Sequence, residues 1–124
     1  HHYFRDFYYC DSGMVPWLRV LEIMSESGKP LSQLVEECIE RFPASGEINR
    51  EVSDAKAVID KVLAHYKEDA EDIDYTDGVG VSFAQWRFNL RMSNTEPVVR
   101  LNVESRGDIA LMEAKTKEIL DLMA

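Results

Sequence analysis

The chain has 124 residues, 45% hydrophobic and 30% charged, with a formal net charge of −9. That balance fits a soluble folded chain and excludes a disordered tail, and no apolar run approaches the roughly 20 residues that span a bilayer. The negative charge argues against nucleic acid and anionic lipid as partners, and a phosphorylated ligand would need a local cluster of cations and donors. The first residue is His1 rather than Met, so a longer protein or a removed upstream segment is expected.

Residues 3–10 are rich in aromatics, from Tyr3 to Tyr9, and read as a strand or a buried extended segment. Asp11 and Ser12 can cap a following helix that stops at Gly28. Its Met14, Trp17, Leu18, Leu21 and Met24 recur at helical spacing, so Trp17 is expected in a core. A second helix is expected from Leu31 to Phe42, with Leu31, Leu34, Val35, Cys38, Ile39 and Phe42 on one face. Pro43 ends it, because the residue before proline is pushed out of helical geometry. Cys10 and Cys38 have no metal-like spacing and read as small buried thiols, with a disulfide as the alternative.

Pro43-Ala44-Ser45-Gly46 is small and reads as a flexible linker, giving domains 1–43 and 44–124. Beyond it, Glu47 to Val52 is a short strand, and Asp54 opens a helix to Tyr66 with Val58, Ile59, Val62 and Tyr66 on one stripe. Asp69, Glu71, Asp72 and Asp74 read as a solvated charge run. Asp77-Gly78 marks a tight turn, with Ile73 and Tyr75 leading in and Val79, Val81 and Phe83 alternating after it. Ala84-Gln85 is a second turn. Trp86, Phe88 and Leu90 then alternate with polar residues, as do Val99, Leu101 and Val103. A last helix runs from Asp108 to Met123. The pattern strand–helix–three strands–helix favours an α+β domain, an antiparallel sheet with helices on one face. Trp86 and Trp17 read as packing residues, and His65 as an exposed residue or a partner of its helix dipole.

The stretch that carries chemistry is Arg91-Met92-Ser93-Asn94-Thr95-Glu96-Pro97, joining the two alternating strands, with Arg100 beyond it. Ser93 and Thr95 offer hydroxyls. Asn94 offers an amide and tolerates the left-handed backbone region that exposes consecutive N–H groups. Arg91 and Arg100 carry forked donors that match phosphate oxygens in pairs. The residues alone leave two readings open, an anion site and an ordinary solvated turn.

Arg-x-Ser-Asn-Thr-Glu-Pro resembles the C-terminal phosphate-binding loop of the α-D-phosphohexomutase superfamily. Arg91, Ser93, Asn94 and Thr95 match the residues that bind substrate phosphate there, and Arg100 sits where many relatives also carry arginine. Asn94 replaces the commoner glycine. His1-His2-Tyr3-Phe4-Arg5-Asp6 resembles the segment after the family's sugar-binding loop. His1 would match a histidine near the substrate, although two leading histidines also look like an expression tag. The wording of Phe42-Pro43-Ala44-Ser45-Gly46-Glu47-Ile48-Asn49 and of Trp86 to Arg91 looks like the bacterial phosphomannomutase branch.

The resemblance implies a mostly helical remnant of a third α/β domain at 1–43 and a phosphate-binding fourth domain at 44–124. It implies hexose 6-phosphate and hexose 1-phosphate as substrates, a phosphoserine donor, a bisphosphorylated sugar intermediate and magnesium at an Asp-rich loop. This chain carries neither the phosphoserine loop nor the metal loop, so it is expected to be inactive alone and to depend on N-terminal domains of the same protein. A cytoplasmic location is implied. The alternatives are a phosphoglucomutase or dual-specificity mutase, and a non-enzymatic acidic protein-interaction domain.

Overall fold

A computed structural model describes residues 2–124. His1 lies outside the described residues, so its expected place near a substrate has no structural counterpart here. The chain forms two compact units, one ending at Cys38 and the other running Ile39–Ala124.

The first unit opens with β1 (Tyr3–Phe4) paired antiparallel with β2 (Cys10–Asp11). The segment is thus a miniature hairpin rather than the single strand or buried extended segment expected. A short 3-10 turn at Arg5–Phe7 joins the strands, and Tyr8 and Tyr9 both take left-handed backbone. Tyr3, Phe7, Tyr8 and Tyr9 are all exposed. Aromatic content gives β propensity only where a neighbouring surface receives the rings.

Helices α1 (Met14–Ser27) and α2 (Leu31–Arg41) follow. The expected caps are not used: Gly13 occupies the N-cap of α1 without a side-chain bond, and the Asp11 carboxylate instead accepts from the His2 amide at 2.9 Å. Gly28 closes α1 in the left-handed region, its N–H donating to Met24 O. Neither helix contains a buried residue. Trp17 and Cys38, expected inside, are exposed, and both cysteines are free. An apolar stripe says which face seeks cover, not that the same chain supplies it.

The second unit is built on one five-stranded antiparallel sheet, in the order β3 (Ile48–Glu51), β7 (Val98–Ser105), β6 (Trp86–Met92), β5 (Val79–Ser82), β4 (Asp72–Asp74). The α+β architecture is as expected, with one correction to the strand count. Asp72-Ile73-Asp74, read as part of a charge run, pairs with β5 through Asp72↔Ser82 and Asp74↔Gly80. Two carboxylates on a short edge strand also discourage pairing with another chain.

The linker expectation needs a second correction. Ser45 N donates to Val103 O at 2.8 Å, Ser105 N donates to Pro43 O at 2.9 Å, and Val103 N donates to Ser45 Oγ at 2.9 Å. Small residues fit closely beside β7, and their backbone groups are satisfied there instead of by water.

Helix α3 (Ala55–Tyr66) starts where Asp54 accepts from Ala57 N, and α4 (Ile109–Met123) starts where Asp108 accepts from Leu111 N. Each cap satisfies an N–H that the helix itself cannot. Both helices lie on the face of the sheet formed by Val81, Trp86, Phe88, Leu90, Val99, Leu101 and Val103. Ile59, Val62 and Tyr66 of α3 and Met112, Ile119 and Met123 of α4 complete this core. The register sets Phe88 opposite Val103 and Leu90 opposite Leu101. Each such fully buried side chain contributes about 1.5–3 kcal/mol. Trp86 stacks on Phe83 with ring centres 4.3 Å apart, and the Lys115 ammonium lies 5.2 Å from the Trp86 ring. His65 is half exposed and lies 3.4 Å from Glu118.

Because side chains alternate across a strand, the opposite face collects the polar set: Asp74, Arg87, Asn89, Arg91, Arg100, Asn102 and Glu104. This alternation carries Arg91 and Arg100 onto one surface.

Candidate anion-binding site

Arg91 and Arg100 are direct cross-strand partners on β6 and β7. Cross-strand neighbours have Cβ atoms only about 4.5–5.5 Å apart. Two like charges at that spacing repel, so the pair needs anionic company. Glu47, just ahead of β3, supplies part of it. Its Oε2 accepts from Arg91 Nη2 at 2.8 Å, and its Oε1 lies 3.8 Å from Arg100 Nη1. Asp77 Oδ2 stands 3.6 Å from Arg91 Nη1. The hydrogen bond from Arg91 holds the Glu47 carboxyl below its ordinary value, and Glu47 in turn raises Arg91.

The loop from Ser93 to Pro97 caps this pair. Ser93 N donates to Val98 O at 3.0 Å, and the Ser93 hydroxyl oxygen accepts from Thr95 N at 3.3 Å and Glu96 N at 3.2 Å. With both lone pairs engaged, the Ser93 hydroxyl is left to act as a donor. Thr95 Oγ1 lies 3.4 Å away. Pro97 O accepts from Val52 N at 3.1 Å, which ties the loop exit to the end of β3.

Asn94 departs from expectation. Among described non-glycine residues only Tyr8 and Tyr9 have positive φ. The Thr95 and Glu96 amides are turned inward onto Ser93, so side chains rather than a run of amides are this loop's outward donors.

The five residues singled out from sequence come together. A hollow of about 330 Å³ is lined by Asp77, Gly78, Arg91, Met92, Ser93, Asn94, Thr95 and Arg100. Arg100 Nε is buried and has no hydrogen-bond partner. An orphaned charged donor beside a polar hollow is costly unless an acceptor arrives. Two guanidinium groups, two hydroxyls and an amide around one hollow can hold a small oxyanion, with bidentate contacts from either arginine.

Sequence reasoning missed Glu47, Gly78 and Asn89. Gly78 has φ +72°, and a Cβ there would meet Leu90 O at 2.3 Å and Arg91 Cβ at 2.7 Å. Only glycine lets the turn approach Arg91 this closely. Asn89 Nδ2 fixes the turn by donating to Asp77 O at 2.8 Å. The Asp-Gly turn was visible in the sequence, and its offset from Arg91 along the hairpin was the available signal. Among the described residues no group of three or more His, Cys, Asp and Glu is placed to hold a metal. No helix among the described residues is long and apolar enough to cross a membrane.

Two family models match. The phosphoglucomutase/phosphomannomutase C-terminal domain covers residues 47–122, and the phosphoglucomutase/phosphomannomutase alpha/beta/alpha domain III covers residues 1–42. A phosphomannomutase of Salmonella montevideo is 63% identical over 99% of this chain, and one of Escherichia coli strain K12 is 56% identical over 99%. Proteins named phosphohexose mutases in Xanthomonas campestris are 58% identical over 99% of the chain. The chain spans about 27% of the length of the Salmonella and Escherichia relatives. A crystal structure of a phosphoglucomutase/phosphomannomutase family protein from Burkholderia thailandensis superposes with a TM-score of 0.61 at 27% identity, covering 98% of this chain and 26% of that one. The chain therefore belongs to the phosphoglucomutase/phosphomannomutase family, its residues 47–122 matching the C-terminal domain and its residues 1–42 matching domain III.

Proposed function

We propose that Arg91, Ser93, Asn94, Thr95 and Arg100 clamp the phosphate of a hexose phosphate within a phosphomannomutase. The hollow that gathers all five residues around two cross-strand arginines carries this reading. The names of the Salmonella and Escherichia relatives support mannose as the sugar, and the Xanthomonas name supports a broader hexose range.

The reaction is an isomerisation of mannose 6-phosphate and mannose 1-phosphate. A phosphoserine outside this chain donates a phosphoryl group, a bisphosphorylated sugar forms, and it turns over before returning one phosphate. Magnesium, held at a loop outside this chain, would neutralise charge on the transferring group. This chain's own part is to hold the phosphate that is not reacting. The sugar turns end for end between the two steps, so the clamp recognises phosphate and tolerates either end of the sugar. Holding one end fixed lowers the entropic cost of bringing the other to the nucleophile. Residues 1–43 belong with domain III and residues 44–124 with the fourth domain. The enzyme works in the cytoplasm with its remaining domains, and this chain alone does not turn over substrate.

An NMR titration of the chain with mannose 1-phosphate tests the reading, with free mannose as control. Shifts at the Ser93, Asn94 and Thr95 amides that require the phosphate are expected, and Arg91→Ala should weaken them roughly tenfold through loss of a charge-assisted pair of bonds. Equal responses to mannose and mannose 1-phosphate, or an unaffected Arg91→Ala variant, would remove the loop from phosphate binding.

A further inference from the structure

Glu47 stands apart from the hollow it influences. Arg91 and Arg100 both line the hollow and Glu47 does not, yet the two oxygens of Glu47 reach one arginine each. Its place is set by the sheet: β3 runs beside β7 with Asn49 opposite Arg100, and Glu47 precedes that pair. A carboxylate that bridges two guanidinium groups from outside a site fixes the direction in which their remaining N–H groups can point. Long, flexible arginine side chains lose rotamer freedom when a ligand immobilises them, and a pre-existing partner removes much of that cost in advance.

We propose that Glu47 is a positioning residue for the anion site: one carboxylate spans Arg91 and Arg100 from behind and presents both guanidinium groups to an incoming phosphate. This rests on the phosphate-clamp reading of the loop. The other carboxylate near Arg91 has a different station. Asp77 does line the hollow and lies 3.6 Å from Arg91 Nη1, with its side chain 76% exposed. It is free to swing away when a phosphate enters, whereas Glu47 keeps its hold from outside.

The sign of one measurement separates positioning from simple electrostatics. Deleting a negative charge beside an anion site should tighten anion binding by Coulomb's law alone. Deleting a positioning group should weaken it. Inorganic phosphate is titrated into the parent chain, Glu47→Ala and Glu47→Gln, with amide spectra and thermal midpoints recorded for each. Glu47→Ala is expected to bind phosphate about tenfold more weakly than the parent, because both guanidinium groups lose their fixed orientation. Glu47→Gln keeps one acceptor oxygen and should fall between the two. Phosphate binding by Glu47→Ala that equals or exceeds the parent's would overturn the positioning role while leaving the clamp intact. Absence of phosphate binding in the parent itself would remove the clamp and the positioning role together.

Discussion

Helix α1 leaves Trp17, Leu18 and Ile23 about half exposed, at 53%, 54% and 50%, and α2 leaves Val35 and Ile39 exposed as well, whereas α3 and α4 bury Val62 and Ile119 completely. All four helices carry an apolar stripe at the same period. The second unit also holds a five-stranded sheet to receive its stripes, whereas the described residues of the first hold only two strands of two residues each. Amphipathic pattern therefore reports demand for a partner. Whether the demand is met depends on which strands the same chain contributes.

The largest test of this contrast is a matched pair of truncations. Phe88→Ala, in the filled core, should cost about 3–5 kcal/mol in denaturant unfolding. Trp17→Ala, on an open stripe, should shift stability by no more than about 0.5 kcal/mol. Equal costs would mean that the first unit has a core as closed as the second.

Gly78→Ala comes next. The added methyl meets backbone at 2.3 Å, in a left-handed conformation, so a loss of roughly 2–3 kcal/mol is expected from overpacking and strain together. Thermal denaturation would read it, and a loss below about 0.5 kcal/mol would show that the turn moves off Arg91 without difficulty. Asp108→Ala removes the cap of α4 and should cost about 1 kcal/mol, with Asp108→Asn restoring most of it.

The smallest effect is a pH dependence. The hydrogen bond from Lys115 Nζ, 2.8 Å long, holds the Glu118 carboxyl below its ordinary value. A lowered folded-state value means stability that is present above the ordinary carboxylate range and lost as pH falls through the folded value. Glu118→Gln should therefore lower stability modestly at neutral pH, change little at low pH where the carboxyl is protonated anyway, and so flatten the acid limb of a stability profile. An acid limb of unchanged slope would assign it to other carboxylates.

Much of the second unit could be read from local pattern. Trp86, Phe88 and Leu90, and then Val99, Leu101 and Val103, alternate cleanly because one face of each strand is dry and the other wet. Asp54 and Asp108 announce their helices because a cap is a local bond. Arg91, Ser93, Asn94, Thr95 and Arg100 share a short stretch, so a two-strand hairpin is enough to gather them. Glu47 was not legible because it lies 44 residues from Arg91, and only the pairing of β3 with β7 unites them. The strand at Asp72–Asp74 was hidden for a related reason. Its charged residues suit an edge, and nothing local distinguishes an edge strand from a solvated run. Trp17 and Cys38 misled in the opposite direction, since their spacing is helical whether or not a surface lies against them.

The aromatic stack around Trp86 also makes the chain optically addressable. The chain has two tryptophans, and each compact unit holds one of them. Trp86 is 8% exposed against Phe83, while Trp17 is 53% exposed. An indole shielded from water emits at shorter wavelength than a hydrated one, so the intrinsic fluorescence should contain a blue component from the second unit and a red component from the first. Replacing Trp17 by phenylalanine would leave a single emitter whose colour follows the opening of the sheet-borne core alone, so that the unfolding of one unit could be timed without a label.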